Sequence, residues 1–150
     1  MSEPVKRTQT VLLSTVSSDS HTWNLVFLEL LLVEHGYRVI NLGPCVPDDL
    51  LIRSARKHRP DAIVISSVNG HGYLDGARVI RKLRRTAGLA DLPVIIGGKL
   101  GTAGAPDMAL TGDLIDAGFT AVFSDAADPA QLVLRIAELT TRDAEAVTRS

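Results

Sequence analysis

Residues 10–41 read TVLLSTVSSDSHTWNLVFLELLLVEHGYRVIN, and the order of textures in that stretch decides the fold class. Thr10 to Val16 is a short run, β-branched or apolar on both faces, as a strand covered on two sides requires. A polar loop, Ser17–Asn24, leads into a helical pattern over 23–35. Gly36 supplies a left-handed stop, and a second short run follows from Arg38 to Asn41. Strand, helix, strand in so few residues calls for a parallel pair with a crossover helix.

Further runs of the same kind lie at Ala62 to Ser66, Pro93 to Ile96 and Ala121 to Phe123, with helical patterns over 47–58, 74–86, 108–117 and 129–141. Pro47 suits the opening of a helix, and Asp48 and Asp49 put negative charge at its positive end. Gly118 stops the fourth helical pattern and Pro129 opens the last. Strict alternation predicts an α/β fold: a flavodoxin-like, doubly wound parallel sheet of five strands in the order 2-1-3-4-5. In such a sheet ligands bind outside the C-terminal strand ends, where the order reverses between strands one and three. The loops to inspect are therefore Ser17–Asn24, Ser67–Leu74 and Gly97–Asp107.

With 150 residues, 45% hydrophobic and 22% charged, the chain is expected to form one domain with a real core, over 10–141, between short tails at 1–9 and 142–150. Sixteen Lys plus Arg against seventeen Asp plus Glu argue against general affinity for nucleic acid or anionic membrane. The start, MSEPVKRTQT, has no apolar signal segment, and no apolar run approaches the roughly 20 residues that span a bilayer. A single cysteine, Cys45, excludes an internal disulfide, suits a reducing cytoplasm and is expected to be a small buried hydrophobe. One small domain leaves little room for an elaborate active site with lids. A bound cofactor or a partner chain is the natural complement.

The three loops carry unusual residues. Asp19 and His21 leave the first strand among the hydroxyls of Ser18, Ser20 and Thr22. A His whose second nitrogen donates to a carboxylate has a fixed tautomer and a more basic free nitrogen, fit for a metal or a proton. The same residues also read as a helix N-cap with His21 passing by. Ser66, Ser67 and Val68 precede Asn69-Gly70-His71-Gly72, where paired hydroxyls and permissive glycines suit a cofactor or merely a tight turn. Gly97-Gly98-Lys99-Leu100-Gly101-Thr102-Ala103-Gly104 matches neither phosphate-binding glycine pattern, and close packing beside a bulky ligand is better supported.

Taken together, Asp19-x-His21, Ser66-x-Val68 and Gly97-Gly98 resemble the D-x-H-x-x-G, S-x-L and G-G signature of cobalamin-binding domains. The resemblance covers about Thr10 to Leu139 and is closest to the small, sigma-type subunits of glutamate mutase (methylaspartate mutase), with Asn41-Leu42-Gly43 and the Ser66–Gly72 loop favouring that branch. It implies that His21 replaces the cofactor's own benzimidazole as the lower ligand of cobalt, with Asp19 hydrogen-bonded behind it. The nucleotide tail would then enter a slot between the sheet and the first helix. Ser18, Ser20 and Thr22 would line its entrance, and Ser66, Ser67 and Val68 would contact it. Gly97 and Gly98 would make room, Lys99, Leu100, Gly101, Thr102 and Ala103 would flank it, and 124–129 would close around the base. Two positions depart from the signature: its glycine is Asn24 and its leucine is Val68. Asn tolerates left-handed backbone and can hydrogen-bond, and Val removes one methylene.

The resemblance further implies an adenosylcobalamin-dependent isomerase subunit, inactive alone, converting L-glutamate to threo-3-methylaspartate with a larger TIM-barrel chain that binds substrate. A small subunit of an acyl-CoA mutase would share the fold. A corrinoid methyl carrier would too, but a helical module usually precedes its cobalamin domain. A phosphoreceiver module needs an acidic cluster at strand one and an Asp after strand three, where this chain has Ser66-Ser67.

Two surfaces stand out. The first helical pattern, Trp23 to Val33, is apolar on nearly every face, which suggests an occluded outer side and a homodimer contact. Residues 53–85 carry nine Lys/Arg against two acids, including Arg78, Arg81, Lys82, Arg84 and Arg85, whereas 86–150 carry four against nine. A solvated helix face is the expectation for the basic group, with steering of an acidic partner behind it. His71 would sit on the rim beside His21, and His35 and His58 at helix ends.

Overall fold

Parallel pairing of five strands builds the molecule, as seen in a computed structural model that describes residues 8–17, 23–67, 72–98, 108–124 and 128–148. In chain order the elements are β1 (Thr10–Thr15), α1 (Trp23–Glu34), β2 (Arg38–Asn41), α2 (Asp48–His58), β3 (Ala62–Ser67), α3 (Gly72–Arg85), β4 (Val94–Gly98), α4 (Met108–Ala117), β5 (Ala121–Ser124) and α5 (Pro129–Thr148). The sheet order is β2-β1-β3-β4-β5, as the alternation predicts. Helix α5 runs past residue 141, so the expected tail from 142 is helical through Thr148.

Side-chain alternation splits the core into two layers. Val11, Leu13, Val64, Ile95 and Ala121 pack against Leu25 and Leu32 of α1 and against Leu132, Val133, Ile136 and Leu139 of α5. On the opposite face Leu12, Ile63, Ile65, Val94 and Ile96 meet Leu51 and Ala55 of α2, Val79, Ile80 and Leu83 of α3, and Leu114 of α4. The central strands are apolar on both sides because both sides are covered.

Polar groups lock the helices to this frame. The Asp128 carboxylate accepts a hydrogen bond from the Ala130 N–H at 3.0 Å, so Asp128 caps the helix that Pro129 opens. The Arg84 guanidinium, on α3, donates to the carbonyls of Gly118, Leu89, Ala90 and Leu92 at 2.9, 3.1, 3.2 and 2.6 Å. It also reaches Thr120 Oγ1 at 3.3 Å. Its partial burial lowers the Arg84 pKa, with the charge of Asp91 acting in the opposite direction. Gly118, at φ +133°, allows this approach: a Cβ there would lie 2.9 Å from Arg84 Cγ.

Two expectations change. Cys45 is exposed rather than buried, with φ +52°. In the Gly43-Pro44-Cys45-Val46-Pro47 turn the inward position goes to Val46, which is 3% exposed and joins the α2/α3 layer. The basic group on α3 is also less uniform than a solvated face. Arg84 is spent on carbonyls, and Arg78 and Lys82 on Asp48, which leaves Arg81 and Arg85 facing water.

Candidate functional site

Ser66, Ser67, Gly97 and Gly98 belong to strands, not loops, because the pairing of β3 with β4 continues to their ends. Ser66 is in register with Gly97, and Ser67 with Gly98. Thr15 of β1 is in register with Ser66, and Gly97 with Phe123 of β5. A single row, Thr15–Ser66–Gly97–Phe123, thus crosses four strands at their C-terminal ends. By alternation it shares the face of Val11, Leu13, Val64 and Ile95, and Phe123 packs against that layer, so the row looks towards α1 and α5.

Each position in the row has a distinct character. Thr15 is buried and donates from Oγ1 to the Gly43 carbonyl at 3.0 Å, which ties the β1 exit to the turn after β2. Ser66 is 5% exposed. At Gly97, among the described residues, a Cβ would make only ordinary contacts, 3.6 and 3.7 Å, with Phe123. Phe123 ends the row on β5 and packs against the α1/α5 layer. A nearly buried serine beside a position without a side chain suits a ligand group that needs both a polar contact and close approach to the sheet.

Gly98 has a different reason to be glycine. Its φ is +112°, and a Cβ would overlap the Ser67 carbonyl oxygen. Ser67 lies on the opposite face from Ser66 and is fully buried. Among the described residues its hydroxyl is the buried side-chain polar atom that lacks a hydrogen-bond partner. The row therefore combines a nearly buried serine with a position that has no side chain, while the unpartnered Ser67 hydroxyl lies on the other face of the sheet.

Of the residues singled out in the sequence, the structure brings Ser66, Ser67, Gly97 and Gly98 together at one edge. Ser18, Asp19, Ser20, His21, Thr22, Val68, His71, Lys99, Leu100, Gly101, Thr102 and Ala103 lie outside the described residues. Thr15 and Phe123 were not singled out; only the strand register places them in the row with Ser66. The strand-period alternation of β1 and β5 was the available signal.

A charged cluster lies on the other face at the same end. Asp48, the first residue of α2 and 7% exposed, accepts from Arg78 Nε at 2.7 Å and Nη2 at 3.3 Å, and pairs with Lys82 Nζ at 3.2 Å. Burial alone would push the Asp48 carboxyl up. The hydrogen bonds and charges of Arg78 and Lys82 outweigh that and hold it below its ordinary value. Arg78 is pushed up in turn, chiefly by its hydrogen bonds to Asp48 and Asp75. A separate cavity of about 480 Å³, lined by Arg56, Arg59, Pro60 and Leu92 among others, sits where β3 and β4 begin, at the opposite end of the sheet from the row.

Residues 9–134 match the family model described as the B12 binding domain. Glutamate mutase sigma subunit 1 of Haloarcula marismortui is 31% identical over 142 residues, 93% of each chain. The chain belongs to the B12-binding domain family, on the branch of the glutamate mutase sigma subunits. Fold comparison alone is less selective. A cobalamin-binding protein from Desulfitobacterium hafniense matches with a TM-score of 0.69 at 22% identity, over 87% of this chain and 60% of that one. A response-regulator receiver domain from Francisella matches with a TM-score of 0.70 at 18% identity, over 91% and 99%. Likeness to both shows the sheet and does not by itself choose between them.

Proposed function

We propose that this B12-binding chain is the cobalamin-holding subunit of a glutamate mutase, which interconverts L-glutamate and threo-3-methylaspartate. The observation that carries the reading is the Thr15–Ser66–Gly97–Phe123 row at the C-terminal strand ends, where Gly97 leaves room for a Cβ among the described residues. His21 would coordinate the cobalt, and Asp19 would accept from its other ring nitrogen, which would fix the tautomer and make the coordinating nitrogen more basic. Ser66 hydrogen-bonds the nucleotide tail, Val68 packs beside it, and Gly97 gives it room. Ser67, fully buried on the opposite face of the sheet, is not placed against the tail. Ser18, Ser20 and Thr22 would line the entrance, and Lys99, Leu100, Gly101, Thr102 and Ala103 would flank the tail.

Adenosylcobalamin, when bound, supplies homolysis of its cobalt–carbon bond, which starts the rearrangement. The chain's part is to anchor and orient that cofactor. The substrate belongs to a larger TIM-barrel chain, and this subunit alone turns nothing over. The names of the relatives favour glutamate over an acyl-CoA substrate. Among the described residues no helix is long and apolar enough to cross a membrane, in keeping with a cytoplasmic enzyme. A second copy packs on the outer side of α1, where Val26, Phe27, Leu30 and Val33 are all exposed.

The test uses the protein loaded with cobalamin, with and without a candidate barrel chain. Labelling its histidines with nitrogen-15 is expected to change the nitrogen splitting in the paramagnetic resonance spectrum of the reduced cofactor. His21→Ala is expected to abolish that splitting with an unchanged circular dichroism spectrum. An unchanged splitting in either experiment refutes the ligand assignment. Glutamate turnover by the barrel chain in the absence of this one refutes the subunit assignment.

A further inference from the structure

The Arg78 side chain does more than neutralise Asp48. Its Nε and Nη2 take the two carboxylate oxygens of Asp48, and Nη1 donates to Asp75 Oδ1 at 2.8 Å. Nη2 also donates to Ser17 Oγ at 2.9 Å, across 61 residues of sequence. Lys82 already gives the Asp48 carboxylate a second cation, so charge balance does not call for the contact with Ser17. Ser17 follows buried Val16 at the exit of β1 and stands four positions before His21.

We propose that Arg78 is a positioning residue: by holding the Ser17 hydroxyl, it fixes the root of the segment that carries His21 to the cofactor. The inference rests on the reading of His21 as the cobalt ligand. Arg78 is itself held rigidly. Its planar fork spends three directions at once, on the N-terminus of α2, on its own helix α3 and on the β1 exit. Asp48 is a fixed counterweight, nearly buried at a helix N-terminus where negative charge is favoured. The clamp works from the α2/α3 face, opposite the tail-binding row, so it can steer the segment without occupying the slot. A root fixed before the cofactor arrives lowers the ordering cost of ligation. A lysine at 78 keeps the charge near Asp48 but cannot make all three contacts.

The experiment compares Ser17→Ala, Arg78→Lys, their double variant and His21→Ala, each loaded with cobalamin and read by the nitrogen splitting of the reduced cofactor. Ser17→Ala leaves the Arg78–Asp48 pair intact. It is expected to lower the ratio of His-ligated to unligated cobalt about 3- to 10-fold with an unchanged melting temperature. Arg78→Lys is expected to lower the same ratio at least as far, with some fall in melting temperature from the weakened pairing with Asp48, and the double variant to be no worse than Arg78→Lys alone. A splitting lost in His21→Ala but unmoved in Ser17→Ala overturns the positioning role alone. A splitting retained in His21→Ala overturns the ligand assignment and the positioning role with it.

Discussion

At the scale of single residues, the adjacent glycines of β4 separate binding from folding. Gly97 has room for a methyl group against Phe123, whereas Gly98 has left-handed φ and backbone where a Cβ would stand. Gly97→Ala is expected to fold with a melting temperature close to the parent's and to weaken cobalamin binding at least 10-fold, because the methyl enters the slot. Gly98→Ala is expected to lower the melting temperature markedly, with or without cofactor. Thermal melts and titration with cobalamin check both. Equal effects from the two substitutions would show that the space beside Gly97 is not the binding slot. Sequence made the pair visible as a pair, but gave no means of telling them apart. Their difference lies in φ and in what stands across from each, and both are properties of the paired strands.

At the scale of elements, helix α3 is fastened at both ends by arginines. Arg78 ties its first half to α2 and the β1 exit, and Arg84 ties its last turn to four carbonyls and Thr120 Oγ1. Arg84→Ala strips a charged donor from partly buried carbonyls, and is expected to cost about 2–3 kcal/mol of stability. That corresponds to a fall of roughly 5–10 °C in melting temperature for a domain of this size. Cofactor affinity measured well below the melting transition should hold, since these contacts lie at the far end of the sheet. A melting temperature within a degree of the parent would contradict the clamp. The sequence offered these arginines as members of one basic group. Which carbonyls and carboxylates they meet depends on loops brought over from β4 and β5, and spacing along α3 carries no record of those.

At the scale of the whole molecule, the apolar excess of α1 divides between two destinations. Leu25 and Leu32 are buried against the sheet, while Leu30, at 64% exposed, looks outward with Val26, Phe27 and Val33. Leu30→Glu is expected to leave the fold intact and to convert an associated form to monomer in sedimentation equilibrium. A parent protein that is monomeric at high concentration would contradict the contact. The composition of α1 pointed to a covered outer side, and the structure identifies which residues would have to be covered.

Sequence by itself determined the class of the fold; 2-1-3-4-5 is the common order for such a sheet, and the strand pairing bears it out. Apolar runs alternating with helical patterns leave a right-handed crossover sheet as the economical way to bury both. It also determined the family resemblance, because Asp19, His21, Ser66, Gly97 and Gly98 are read as identities at fixed spacing. Tertiary structure decided what those identities do: that Ser66 and Gly97 stand in one row with Thr15 and Phe123, that Ser67 turns to the other face, and that Arg78 reaches Ser17. The physical reason is that periodicity and chain chemistry are local, whereas register, and contacts 61 residues apart in the chain, exist only after the strands have paired.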